Sequence, residues 1–335
     1  MIPSASPVPP AYAELHCRSN FTFLVGASMP EELVRRAAEK RYTALALTDE
    51  CSVSGVVRAH LEARERGLHF IVGSEMLLTT GSDTAFARVV FLAQDRRGYG
   101  NLCELITLAR RRAAKGLYKA LVADVEGKAP KAPHLAGMGG CIALLLPAAD
   151  ASVESLFAQA MWLRTWFGER GWIACSRPMG MNDELRLWVA EQASAQAGVP
   201  IVATGGVLMH TQSRKPVQDV LTAVRIGKTV ADCGFELLAN AQQYLRARSV
   251  LPDLFPPEWL QQSVRIAGLC TFNLEELRYE YPQEIVPEGE TPASHLRKLA
   301  YAGTLTRFPG GLPDKVRAQI ELELAIIAEL AYEPY

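Results

Sequence analysis

Five residues of the types that hold metal ions or move protons stand where apolar runs end: His16, Asp49, Glu50, Glu75 and His210. Imidazoles and carboxylates gathered at strand ends are the donor set of a two- or three-metal hydrolytic site, in which each ion keeps several ligands and clamps hydroxide and a substrate oxygen together. The set is incomplete in one telling place. His16 is followed two positions later, on the same side of an extended strand, by Arg18. An arginine stays protonated and offers only donors, so it cannot ligate a cation through its nitrogens. The stretch therefore reads either as a hydrogen-bonded core histidine beside a chance arginine, or as a metal site that has been dismantled. Asp49 and Glu50 carry a similar choice, since an acid after an apolar run also serves as a turn or helix cap.

Seven short aliphatic or β-branched runs position these residues: "YAELHC" from Tyr12, "TALALT" from Thr43, "LHFIVG" from Leu68, "ARVVFLA" from Ala87, "CIALLL" from Cys141, "WIAC" from Trp172 and "PIVAT" from Pro200. Amphipathic stretches lie between them, such as "PEELVRRAAEKR" from Pro30, with proline in a first helical turn and acids beside it. Strands alternating with helices predict βα units around a parallel sheet, and the count suits an α/β barrel better than an open sheet. Chemistry in such a barrel sits just after each strand, which is where His16, Asp49, Glu50, Glu75 and His210 fall.

The chain has 35 basic and 36 acidic residues among 335, so it carries no overall electrostatic footprint for nucleic acid or an anionic membrane. One local candidate for phosphate contact stands out, Arg110, Arg111, Arg112 and Lys115, although no aromatic residue interleaves its charges and a solvated helix face explains it equally. Seven cysteines lie at spacings that suit neither zinc nor redox chemistry and fit reduced thiols in a cytoplasm. No run of 18 apolar residues predicts a membrane span, and "MIPSASPVPPA" reads as a disordered lead over residues 1–11. The "GMGG" near Gly137 lacks a nucleotide-cradling pattern and predicts a turn. From Pro252 onward prolines and long helices dominate, and the last amphipathic helix is expected to run to Tyr335 uncapped, as in a chain cut within a larger protein.

The order and spacing of "ELHCRSNFTFLVGASMPEEL", "ALALTDE", "GSEM", "DRRGYGNLCELITLARRRA", "VATGGVLMH", "LRYEYPQE" and "IELELAIIAELAYEPY" resemble the polymerase-and-histidinol-phosphatase (PHP) domain of a bacterial C-family DNA polymerase, closest to the damage-induced, error-prone α subunit. The resemblance implies a distorted seven-stranded, TIM-like PHP barrel over 12–284, with 285–335 as the helical start of the polymerase palm region. The intact family pattern opens with His-x-His, matched here by His16 and broken at Arg18. Its Asp-Gly pair falls on Val25 and Gly26, and its Thr-Asp-His on Thr48, Asp49 and Glu50. The Gly-x-Glu carboxylate is kept as Glu75, a later His falls on Arg88, and the closing Asp-x-His falls on Gly206 and Leu208, with His210 just beyond.

An intact site of this kind is a trinuclear phosphoesterase centre. Here the substitutions put arginine where cations would sit, so Arg18 is expected to pair with Glu50, Glu75 or Asp49 and to replace the metals' structural role. The resemblance then implies a metal-free, catalytically silent scaffold needing no cofactor, within a full-length DNA-directed DNA polymerase that uses magnesium on downstream carboxylates for translesion synthesis. Expected partners are the rest of the polymerase chain, DNA through the full-length protein, the sliding clamp and mutagenesis accessory proteins. The competing expectation is a metal-dependent phosphoesterase or 3′ to 5′ exonuclease with a reduced ligand set, which requires His16, Glu50, Glu75 and His210 to converge.

Overall fold

A computed structural model describes residues 9–277 and 286–333. They fall into two compact units, Met1–Glu276 and Leu277–Tyr335. The expected boundary at 284–285 and most of "LRYEYPQE" lie outside the described residues, as do residues 1–8 of the expected disordered lead. Pro10, from the same lead, accepts a hydrogen bond from Arg248 Nη1 at 3.2 Å.

In chain order the first unit runs β1 (Ala13–Cys17), α1 (Pro30–Glu39), β2 (Ala44–Leu47), α2 (Val56–Arg66), β3 (His69–Thr79), β4 (Ala85–Ala93), α3 (Arg96–Arg111), β5 (Ala120–Leu121), α4 (Val122–Val125), β6 (Cys141–Leu146), α5 (Val153–Phe167), β7 (Gly171–Ser176), α6 (Asp183–Ala197), β8 (Ile201–Thr204), α7 (Lys215–Ile226) and α8 (Pro257–Leu269). All seven expected runs are strands, ordered β1-β2-β3-β4-β6-β7-β8 in one curved sheet. The sheet is nearly closed. Arg18 N donates to Val207 O and Val207 N to His16 O, both at 2.9 Å, so β1 meets the segment after β8.

The sheet is not wholly parallel, which corrects the expectation. β3 and β4 form a hairpin across Thr80–Thr84 instead of a βα crossover, so β4 runs antiparallel to both β3 and β6. A short unforeseen strand, β5, pairs with the far end of β3. The barrel interior is filled by alternate strand residues, among them Leu15, Ile71, Val90, Leu92, Leu144 and Val202, and α8 closes it with Ile266 and Ala267. Fully burying each of the larger side chains contributes about 1.5–3 kcal/mol. A second layer packs the outer strand faces against the helices, for example Leu102 and Leu105 of α3.

One irregularity decides where the chemistry points. Pairing of β1 with β2 shifts by one residue between Glu14 and Cys17, a β-bulge. Before it Ala13 and Leu15 face the interior, whereas after it Cys17 faces the outer layer. Strict alternation would have put Cys17 inside. The extra residue re-aims the strand end, so that His16 and Arg18 are presented together at the barrel mouth.

The second unit contains α9 (Pro292–Arg307) and α10 (Asp314–Glu329), joined by Arg297 to Glu321 at 2.5 Å and by the Tyr301 hydroxyl to the same carboxylate. Thr304 is the one buried residue of the two helices. The final helix stops at Glu329 with Leu330 as its C-cap rather than running to Tyr335.

Candidate functional site

Glu75 is the centre of the mouth. It continues the inward-facing parity of β3 beyond Ile71 and Gly73, and it is fully buried. Its carboxylate receives three groups: His16 Nε2 at 2.6 Å, Arg88 Nη1 at 2.5 Å and, more loosely, Arg18 Nε at 3.5 Å. The Arg18 contact is an ion pair without a hydrogen bond, because its buried Nε has no hydrogen-bond partner. Arg88 also reaches Glu50 Oε1 at 3.2 Å, and Tyr118, which follows α3, donates to the same oxygen at 2.7 Å. Two guanidiniums thus face two carboxylates. The pairing expected of Arg18 is present, but Arg88 makes the tighter contact.

Burial works to raise the Glu75 carboxyl, yet Arg18, His16 and Arg88 outweigh it and hold the group well below the usual carboxylate range. Burial also lowers His16 from its ordinary 6.5, against the pull of Glu75. A neutral imidazole is the consistent form, with Nε2–H donating to an ionised Glu75.

Asp49 does different work. Its Oδ1 accepts from Ser19 N at 2.7 Å, Thr22 N at 3.1 Å and Thr22 Oγ1 at 2.8 Å, while its Oδ2 accepts from Ser19 Oγ at 2.7 Å. The carboxylate is used up in folding the loop after β1. Gly26 lies in that loop because a Cβ there would meet Ser19 O at 2.0 Å. Glu14, on the other side of β1, accepts from Tyr12, from His16 N and twice from Gly205 N, fastening β1 to the turn after β8. Burial pushes its carboxyl up to about 7.

The remaining expected positions do not join this network. His210 Nδ1 is 2.7 Å from Ser28 Oγ and 3.9 Å from Glu32, tying the segment after β8 to the start of α1. Neither contact is to His16, Glu50 or Glu75, the residues with which the exonuclease expectation has it converge. Val25 and Leu208 pack with Ala27 and Met209 in a small apolar cluster, and Gly206 makes a turn at φ 57°. In the basic cluster, Arg110 donates to Cys51 O at 3.1 Å and Glu50 O at 3.3 Å and lies over the Tyr118 ring. Arg112 grips Asp124 through both carboxylate oxygens. Arg111 and Lys115 remain exposed.

The trinuclear ligand set does not fit these residues. Three groups already converge on the Glu75 carboxylate, two of them permanent cations, and each unit of added positive charge about 4 Å from a guanidinium costs roughly 4 kcal/mol at an effective dielectric of 20. Among the described residues no three His, Cys, Asp or Glu side chains are grouped to hold a metal ion.

Residues 14–163 match the family profile described as the PHP domain. The chain carries a PHP domain. It is similar over 98% of its length, at 52% identity, to the error-prone DNA polymerase of Bordetella parapertussis, and over 97% at 49% identity to that of Ralstonia nicotianae. The chain spans 31% of the length of each of these relatives. Among solved structures it is similar to an amidohydrolase from Chromobacterium violaceum with bound sulfate and no metal, at 17% identity and a TM-score of 0.43, covering 59% of this chain and 88% of that one. No helix among the described residues is long and apolar enough to cross a membrane.

Ser19, Thr22 and Tyr118 are site residues that sequence reasoning passed over. Ser19 and Thr22 sit beside the His16-x-Arg18 motif, and their hydroxyls are natural donors for a buried acid such as Asp49. Tyr118 carries no local signal, because β5 brings it to Glu50 from 68 positions away.

Proposed function

We propose that this chain is the PHP module of an error-prone DNA polymerase that acts in translesion synthesis, and that the module is a metal-free, catalytically silent scaffold. The observation carrying this is the pair of guanidiniums, Arg18 and Arg88, on the buried Glu75 carboxylate. An ion-pair staple there links β1, β3 and β4 across the mouth, the mechanical task a metal cluster would otherwise perform. Residues 12–284 form the PHP domain and 285–335 begin the polymerase region. Nucleotide addition to a primer, with magnesium on carboxylates, belongs to the part of the polypeptide that the longer relatives have outside the matched region. DNA, the sliding clamp and mutagenesis accessory proteins are its partners in the cytoplasm.

The test is metal content by mass spectrometry after incubation with zinc, manganese and magnesium and desalting, with thermal melts on the same samples. Below about a tenth of an equivalent, and no rise in melting temperature, is the expected result. One or more retained ions, with metal-dependent phosphodiester hydrolysis that disappears in Glu75→Ala, would replace the scaffold with a hydrolase.

A further inference from the structure

Helix α7 presents an apolar stripe to solvent. On a helical wheel Val217, Val220 and Val224 form one stripe, with Lys215, Gln218 and Thr222 on the opposite side. A surface helix of a globular domain buries the first face and wets the second. Here Gln218 and Thr222 are buried, while Val217, Val220 and Val224 are 41%, 51% and 60% exposed. Gln218 Nε2 donates to Thr222 Oγ1 at 3.0 Å, and its buried Oε1 has no hydrogen-bond partner. Apolar exposure continues past the helix end at Val230.

Ala223 is buried and Leu221 packs against Ala27, Leu208 and Met209, so a narrow apolar edge seats the helix, while the unpartnered buried Gln218 oxygen and the valine stripe left in water have no stability rationale within the first unit alone. We propose that the valine face of α7 is an internal docking surface, covered by an amphipathic helix of the same polypeptide from the portion that the longer relatives possess outside the matched region. The inference rests on the chain being part of such a polymerase. Two considerations select that occupant. Three valines offer far less than the roughly 800 Å² per partner that a stable complex between separate chains needs. A tethered helix avoids most of the cost of association, so a small stripe suffices. The matched residues are also only 31% of the relatives' length, which leaves ample chain to supply it. Exposed Arg225 and Lys228 rim one end of the stripe, so the covering helix carries carboxylates at the matching end.

The experiment is maleimide labelling of Val220→Cys in the 335-residue chain and in the full-length polypeptide, each against its unsubstituted counterpart as background. Labelling is expected to be fast in the short chain at every protein concentration and at least about tenfold slower in the full-length protein. Equal rates in the two proteins overturn the proposal. Protection in the short chain that grows with its concentration also overturns it, in favour of a second copy. Val220→Asp supplies an independent readout: it leaves the melting of the short chain unchanged and lowers that of the full-length protein, and the reverse pattern counts against an internal surface. Primer extension by the unsubstituted full-length protein is scored separately, so a failure of the polymerase reading is distinguishable from a failure of the docking surface.

Discussion

At the level of single residues the mouth is organised by the buried Glu75 carboxylate, which two guanidiniums and an imidazole hold in its charged form. Removing it leaves Arg18 and Arg88 without their shared buried counter-charge, and breaking such a pair costs about 3–5 kcal/mol. Glu75→Ala is expected to lower unfolding free energy by that amount in urea titration; a loss under about 1 kcal/mol would mean the arginines relax to solvent. Because the folded-state pKa of Glu75 lies below its ordinary 4.5, its contribution is fully present above that value and is lost as pH falls from there through the folded value. Glu14 has the opposite sign. Its carboxyl is raised from 4.5 to about 7, so folding takes up a proton between those values and stability declines with rising pH by about 1.4 kcal/mol per unit. Glu14→Gln should flatten that slope between pH 5 and 7, measured by urea titrations across the range; an unchanged slope would assign it elsewhere. His16 and Glu75 were legible from the sequence, and so was the pairing of Arg18 with a carboxylate. Glu14 was not, because a lone acid inside an apolar strand gives no hint that Gly205, 191 positions away, supplies its donor.

Among the elements, β1 and its loop show what periodicity can and cannot say. The seven runs announced themselves through β-branched and aliphatic composition, and all seven are strands. Their directions did not, because the hairpin between β3 and β4 is only a few polar residues and leaves no helical pattern to be missed. The bulge in β1 is equally silent, since it changes the pairing of Glu14–Cys17 with β2 and not the residue types. Its effect is nonetheless the site itself, for without it His16 and Arg18 would lie on the other face. The loop that follows is held by Asp49 from the end of β2 and fits only because Gly26 lacks a side chain. Gly26→Ala forces a Cβ into the Ser19 carbonyl and is expected to destabilise by about 2 kcal/mol or more, with loss of the Asp49 hydrogen bonds. Amide exchange should show Ser19 and Thr22 opening first; uniform protection across the chain would mean the loop absorbs the methyl group.

For the whole molecule, the near-balance of charge already argued against broad contact with nucleic acid, and the structure reduces the local exception further. Of the four cations singled out in the sequence, Arg110 holds backbone carbonyls around Glu50 and Arg112 holds Asp124. Arg111 and Lys115 are exposed and make neither kind of contact, which leaves them to meet phosphate. The logarithm of a duplex binding constant falls with the logarithm of salt concentration by about 0.9 for each phosphate neutralised, so two cations limit the slope to roughly 2. A fluorescence-anisotropy titration of the 335-residue chain with duplex DNA between about 50 and 200 mM salt should therefore give weak binding with a slope of about 2 or less. Arg111→Glu with Lys115→Glu should abolish it without altering the melt, because neither side chain holds the fold. A slope of about 5 or more would require a basic surface assembled from residues far apart in sequence, which no reading of charge runs along the chain can reveal.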